Sequence, residues 1–273
     1  MLNSTRASGL TFLFPEGDTV VGPTLQAYGE FAQPEVDFLV EAAAAPEGRY
    51  LDVGANIGAI ALPFARRRPA WKVTAIEAHR GLAAILAANT HGNHLANVDV
   101  INAAAGPTRA IAEFPLLSLD QKVNFGDSGF HRAAAKTPVL QLPLDEIASD
   151  ADVIKVDVQG FEAEVLRGST AIRAAGKAIW FLETPADAKA RAEVFDLLRA
   201  ARCELFWFFS PFGTRRSPRN PVEGKGVGGD ANWVAVPPGR GAAWPLTPVR
   251  DAQEPRPGHA DAYPYLERYG FSG

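Results

Sequence analysis

Four carboxylates stand at the ends of short apolar runs, where they could do chemistry. Asp52 closes the run through Tyr50 and Leu51, and Glu77 ends Trp71–Glu77. Asp157 ends Asp152–Asp157, and Glu183 ends Ala178–Glu183. Ligands in open α/β sheets sit outside the carboxyl ends of the strands. A carboxylate there can accept hydroxyl hydrogens, orient a substrate or take a proton. Lys155 precedes Asp157 by two residues, so the two share one face of their strand, while Ile154, Val156 and Val158 share the other. A lysine in so apolar a strand needs a partner or water. A structural ion pair with a carboxylate of a neighbouring strand weighs equally with a role toward substrate. Glu183 also reads as a helix cap or a solvated carboxylate. Glu162 lies early in its helix, where a negative charge suits the dipole whatever the function.

The elements that position these groups centre on Arg49–Gly58. Tyr50, Leu51 and Val53 read as a buried strand, Gly54 and Gly58 bracket a turn, and Ile57, Ile60, Ala61 and Phe64 follow at helical spacing. A strand, a glycine turn and a helix start suggest a nucleotide-like ligand approached closely by backbone, with free N–H groups aimed at it. Glu77, about twenty residues on, is spaced to accept ribose hydroxyls. A dinucleotide fingerprint needs G-x-G-x-x-G, but Ala55, Asn56 and Ile57 stand between these glycines. Asp52, just ahead of the turn, would repel a pyrophosphate and suit an ammonium group. The ligand expected is S-adenosylmethionine rather than NAD.

The rest of the chain alternates strand and helix. Thr11–Phe14 and Thr19–Val21 suggest a hairpin, and a helix starts near Pro34 with Val36, Leu39 and Val40 apolar. A helix spans 81–89 and a strand 98–101. Two strands lie within 110–142, around a polar stretch, Val123–His131, that could cover a site. A helix follows Phe161, another covers 193–201, and Leu205–Phe209 pairs with Asn232–Val236. This predicts an α/β fold: a mostly parallel sheet with helices on both faces. The boundaries expected are an N-terminal hairpin and helix over 1–47, a ligand-binding domain over 48–237 and a proline-rich tail over 238–273, read as a packing arm or as disorder.

Charge narrows the function classes. With 27 basic and 31 acidic residues the chain is mildly acidic, unlike a nucleic-acid binder. Cys203 is the single cysteine, which rules out a disulfide framework. No apolar run reaches membrane-spanning length and none resembles a signal peptide, so a cytoplasmic protein without a membrane partner is expected. Asp127, Asp157 and Glu183 could in principle meet at a metal, but no metal site is assigned. The histidines read mostly as surface residues, with His131 a weak candidate base.

Asp52-Val53-Gly54-Ala55-Asn56-Ile57-Gly58 and Ile154-Lys155-Val156-Asp157-Val158-Gln159-Gly160-Phe161-Glu162 together resemble the FkbM family of S-adenosylmethionine-dependent methyltransferases. The likeness runs from Asp18 to Pro237. It includes Tyr28-Gly29-Glu30, Asn124-Phe125-Gly126, Phe206-Trp207-Phe208 and Asn232-Trp233-Val234-Ala235-Val236-Pro237. It implies a class I (Rossmann-like) methyltransferase with a seven-stranded sheet, its last strand antiparallel, and O-methylation of a sugar or natural-product hydroxyl. Two residues depart from the family pattern: Ala78 stands where it has proline, and Gln159 where it has glutamate.

On this reading Asp52, Gly54, Ala55, Asn56 and Gly58 hold the methionine part of the donor. Glu77, followed by Ala78, holds the ribose, and Asn102 and Ala103 flank the adenine. Glu30 is a candidate for closing over the donor. Asp157 is the first choice for orienting or deprotonating a small hydroxylated acceptor, with Glu183 and Lys155 behind it. The alternatives are a donor-binding module without turnover and, behind it, an NAD-dependent oxidoreductase.

Overall fold

The computed structural model describes residues 1–115, 117–127, 135–223, 228–240, 244–258 and 262–271. The N-terminal hairpin differs from expectation. β1 (Leu2–Ala7) pairs antiparallel with β2 (Leu10–Pro15) across Ser8 and Gly9, which have φ of 49° and 74°. Two left-handed residues match the twist of a two-residue hairpin. Val21, expected in a strand, instead opens α1 (Val21–Tyr28), because the Asp18 carboxylate accepts from the N–H groups of Val20 and Gly22 and fixes a helix start there. α2 (Gln33–Ala42) follows with Pro34 in its first turn.

The main sheet begins at β3 (Gly48–Val53), which feeds α3 (Ala61–Arg67), β4 (Trp71–Glu77), α4 (Arg80–Gly92) and β5 (Val98–Asn102). A small side sheet comes next: β6 (Ala104–Ala105), β7 (Ala110–Pro115) and β8 (Lys136–Leu142), with β8 in the middle. After α5 (Leu144–Ala148) the chain returns to the main sheet with β9 (Val153–Val156). α6 (Glu162–Arg167), α7 (Thr170–Ala175), β10 (Ile179–Glu183) and α8 (Ala188–Ala200) follow. β11 (Glu204–Pro211) and β12 (Gly229–Val236) end the sequence-predicted strands.

The strand order is β13-β11-β12-β10-β9-β3-β4-β5, where β13 is Thr247–Pro248 from the tail. Strands β5, β4, β3, β9 and β10 are parallel, and β12 is antiparallel to both its neighbours. The expected seven strands are therefore present with the last one antiparallel, and β13 adds an eighth of two residues. From β3 the chain steps one way through β4 to β5, and from β9 it steps the other way through β10. Right-handed crossovers then put helices on opposite faces. The reversal opens a crevice between β3 and β9 at their carboxyl ends.

One hydrophobic cluster joins residues of all three sequence stretches: Phe12 and Phe14 of β2, the sheet's Trp180, Trp207 and Trp233, and Trp244 and Tyr265 of the tail. The described part of the tail is packed. Tyr265 stacks on Phe208 with ring centroids 4.5 Å apart. Its hydroxyl accepts from the Phe209 N–H at 2.6 Å and donates to the Phe209 carbonyl at 2.9 Å. Arg268 lies over the Trp244 ring at 4.6 Å. Tyr265→Phe keeps the stack but orphans both buried backbone groups. It should cost about 1–3 kcal/mol, read as a lower urea midpoint; an unchanged midpoint would show that the tail adds contact area only.

Candidate functional site

Gly54 brings the two halves of the sheet together. It has φ of 81°, and a Cβ there would lie 1.8 Å from the Asp157 carbonyl oxygen, so only glycine lets the chain leaving β3 pass this close to the end of β9. The amides of Gly54 to Gly58 are engaged within the protein, so the turn itself lacks the free N–H groups that the sequence reading gave to the turn and helix start together. Gly54 and Ala55 both donate to the Ile76 carbonyl, at 2.9 and 3.0 Å, and Gly58 donates to Ala55 at 2.8 Å. Asn56 donates to Glu77 Oε2 at 2.8 Å, and Ile57 to the Asn56 side chain at 2.8 Å. The turn is a closed knot rather than an anion nest.

A cavity of about 250 Å³ opens at the carboxyl ends of β3, β4, β9 and β10. Asp52, Gly54, Ala55, Asn56, Glu77, Ala78 and Ala103 line it, as do Lys155, Asp157 and Glu183. Three expected residues lie elsewhere. Gly58 packs inward, where a Cβ would lie 2.6 Å from Leu86 Cδ1. The exposed Asn102 uses its amide to tie down the carbonyls of Glu77 and Ala78. Glu30 accepts from the Thr214 N–H and hydroxyl and from the Ser217 hydroxyl, at 2.6–3.0 Å. All three bonds fall on Oε1, which pins that loop, and Glu30 is not among the residues lining the cavity. The pinned loop carries Phe212, which stacks on Phe31 at 5.7 Å, and both rings line the cavity.

Strand register sets the charges. Asp52 of β3 lies directly opposite Lys155 of β9. The Lys155 ammonium, almost fully buried, is 3.5 Å from Asp52 Oδ1 and 3.3 Å from Asp157 Oδ2. The ammonium that the sequence reading sought in a ligand for Asp52 is therefore supplied by the chain itself. Burial alone would push Lys155 down; Asp157, Asp52 and Glu35 outweigh it and hold the lysine well above its ordinary value. Burial pushes the Asp52 carboxyl up, and Lys155 pulls it back.

Burial also shifts Glu77, Glu183 and Glu162 upward. Glu77 reaches about 7, although its two oxygens accept from the Asn56 and His79 N–H groups at 2.8 Å each. Glu183 is pushed up to about 10, with Asp157, Glu162 and Asp230 adding to the burial effect. Glu162 accepts from the Gly160 N–H at 3.0 Å and is buried and raised as well.

The sequence reading missed Glu35 of this wall and noted Gln159 without giving it a role. Glu35 of α2 lines the cavity, is pushed up to about 8 by burial, and accepts from Ser210, which in turn accepts from Asn232. Its signal was helical period, since Glu35 falls on one face with Phe38, Leu39 and Ala42. Gln159 donates to Asp157 Oδ1 at 3.0 Å and to Glu183 Oε2 at 2.7 Å. No local pattern could place it there, because its partner on β10 is 24 residues away. His79, read as a surface residue, is a buried helix cap. Its Nδ1 accepts from the Leu82 N–H, so its Nε2 donates to the Leu117 carbonyl at 2.9 Å. Asn124, Phe125 and Gly126 line the cavity, whereas His131 lies outside the described residues. Among the described residues, no three His, Cys, Asp or Glu are placed to hold a metal ion, and no helix is long and apolar enough to cross a membrane.

The model of the methyltransferase FkbM domain matches residues 52–198, from Asp52 at the turn into the last turn of α8. The chain belongs to the FkbM methyltransferase family. Its fold is the class I methyltransferase fold, with the sheet order described above. Among solved structures, an FkbM methyltransferase from Methylobacillus flagellatus is 16% identical, with a TM-score of 0.47 over 70% of this chain and 44% of that one. The FkbM chain described here thus spans less than half the length of that protein. A SAM-dependent methyltransferase from Agrobacterium tumefaciens is 11% identical, with a TM-score of 0.49 over 87% of this chain and 70% of that one. A SAM-dependent O-methyltransferase from Thermotoga maritima is 13% identical, with a TM-score of 0.43 over 77% and 66%. No curated protein matches the chain.

The raised carboxyls of this FkbM domain make its stability depend on pH. Glu35, Glu77 and Glu183 keep their protons when folded to about 8, 7 and 10, against an ordinary 4.5. Above pH 4.5 the folded chain therefore binds more protons than the unfolded one. The stability these groups confer is complete below that pH and is lost as pH rises through the folded values. The urea midpoint of the ligand-free protein should fall steadily from pH 5 to pH 8. A flat or rising midpoint would show that these groups ionise freely in the fold.

Proposed function

We propose that this FkbM protein transfers a methyl group from S-adenosylmethionine to a hydroxyl of a small sugar-like or natural-product-like acceptor. The observation that carries this reading is the charge of the cavity. Glu35, Asp52, Glu77, Asp157, Glu183 and Asp230 line it, and the lysine among them, Lys155, already faces two of these carboxyls. Asp52 and Asp157 outnumber their one lysine, which disfavours the pyrophosphate of NAD, and a cationic ligand would favour the ionised forms of Glu35, Glu77 and Glu183, which burial otherwise keeps protonated. When bound, S-adenosylmethionine supplies an electrophilic methyl carbon on a positively charged sulfur.

The chain's own residues account for the rest. Each Glu77 oxygen holds one backbone N–H and keeps a lone pair for a ribose hydroxyl. Ala78 and Ala103 offer small apolar walls suited to a flat base. Asp157, about a third exposed and at the end of β9, is the group to receive the acceptor's proton. Its link to Lys155 leaves Oδ1 toward Gln159 and the cavity. In balance, the acceptor oxygen forms its bond to the methyl carbon and the carbon–sulfur bond breaks. The electron pair stays on sulfur, and the hydroxyl proton goes to Asp157. Phe31 and Phe212 provide an aromatic platform for the apolar face of an acceptor.

Calorimetry should show binding of S-adenosylmethionine or its demethylated product and none of NAD; the reverse pattern would discard this reading. Acceptors are then found by screening hydroxylated small molecules with methyl-labelled donor. With any of them, Asp157→Asn should keep donor affinity within about threefold and lower turnover by about 10²-fold or more. Donor binding without transfer to any hydroxyl would favour a binding module over an enzyme.

A further inference from the structure

Gln159 occupies an unusual position. Its backbone is left-handed, with φ of 54°, and Gly160 follows at 92°. This tight reversal after β9 turns the Gln159 side chain back onto the end of its own strand. The single amide nitrogen then meets two carboxyl groups: Asp157 Oδ1 at 3.0 Å and Glu183 Oε2 at 2.7 Å. An amide nitrogen has two hydrogens and no charge, so both are used and neither carboxyl gains a counter-ion. Lys155 takes the other Asp157 oxygen, at 3.3 Å. Asp157 is thereby held at both oxygens by donors from two directions, one charged and one neutral.

We propose that Gln159 is a positioning residue: its amide, shared between Asp157 and Glu183, holds the Asp157 carboxylate in place to receive the acceptor's proton and keeps Glu183 beside it. The inference rests on the methyl-transfer reading for its chemistry and on geometry for its placement. The surrounding charges are consistent with it. Asp157 faces Lys155 on its own strand, while Glu183 faces Asp157, Glu162 of α6 and Asp230 of β12. Burial and these acids push Glu183 upward. A carboxyl that burial keeps protonated, set beside one paired with a lysine, divides with it the work of holding and accepting a proton. A carboxylate at 159 would present lone pairs to lone pairs and add a third negative charge. Glu183 already hydrogen-bonds directly to Asp157, and an aliphatic side chain at 159 would leave that contact without the amide that braces both groups.

The test is side-chain carboxyl NMR on protein labelled at Asp and Glu carboxyl carbons, with the demethylated donor product bound. Glu183→Gln identifies the Glu183 signal. In the unaltered protein, Glu183 should remain protonated beyond pH 7. In Gln159→Met, which keeps the length and removes both hydrogens, its titration should move up by about one to two pH units, the equivalent of one lost hydrogen bond to a charged group. Gln159→Asn tolerates the left-handed backbone and is too short to reach both carboxyls, so it should shift Glu183 in the same direction without threatening the fold. A Glu183 signal that titrates near 4.5 in the unaltered protein overturns the proposal. So does a midpoint unmoved in a folded Gln159→Asn protein. The measurement needs no acceptor and no turnover. Its failure leaves methyl transfer standing, whereas a protein that titrates as expected but never transfers methyl fails the functional reading alone.

Discussion

The ion pair between Lys155 and Asp52 is the constraint on which the site depends. It links β3 to β9, the two strands at which the sheet reverses direction, and both side chains are nearly inaccessible to solvent. Removing one partner of such a pair typically costs about 3–5 kcal/mol, because the other is left charged and dry. The lysine also reaches Asp157, so one ammonium sets the position of a structural carboxylate and of a cavity-facing one. Gly54 allows this arrangement: with any larger residue the turn after β3 would strike the backbone at Asp157.

The glycine turn serves the protein before it serves a ligand. Its amides close on Ile76, Glu77, Asn56 and Ala55, so the turn itself offers a ligand no free N–H. Glu77 shows how the two uses combine. Two backbone N–H groups hold its carboxylate still, and the remaining lone pairs face the cavity. Precision at a binding carboxylate comes from such supporting hydrogen bonds rather than from the carboxylate itself. Glu30 and the Thr214–Ser217 loop work the same way at one remove, by fixing Phe212 against Phe31.

Buried carboxyls outnumber buried cations around the cavity, and this costs the ligand-free protein stability at alkaline pH. Active sites commonly carry groups whose ordinary protonation is disfavoured by their surroundings. Here the excess is arranged in two tiers. Asp52 and Asp157 share the lysine. Glu35, Glu77 and Glu183 are held instead by neutral donors: a serine hydroxyl, backbone amides and the Gln159 amide. A positively charged ligand entering the cavity would meet the second tier.

Much of this was legible in the sequence. The alternation of apolar runs with helical spacing marked the parallel strands, because a strand buried on both faces must be continuously apolar. The strand-end positions of Asp52, Glu77, Asp157 and Glu183 marked one edge of the sheet for the same reason. The motif around Gly54 and the one ending at Glu162 pointed to the family on their own. The hairpin turn at Ser8 and Gly9 went unread, because Thr11–Phe14 was paired forward with Thr19–Val21 instead of back with Leu2–Ala7. Tertiary structure alone decided which groups touch. Whether Lys155 met a ligand or Asp52 depended on register between strands a hundred residues apart. The engagement of the turn's amides, the diversion of Glu30 to Thr214 and the meeting of Gln159 with Glu183 were likewise settled by long-range packing. Local periodicity specifies which face a side chain presents, but a hydrogen bond exists only where two such faces are brought within about 3 Å, and that distance is a property of the assembled sheet.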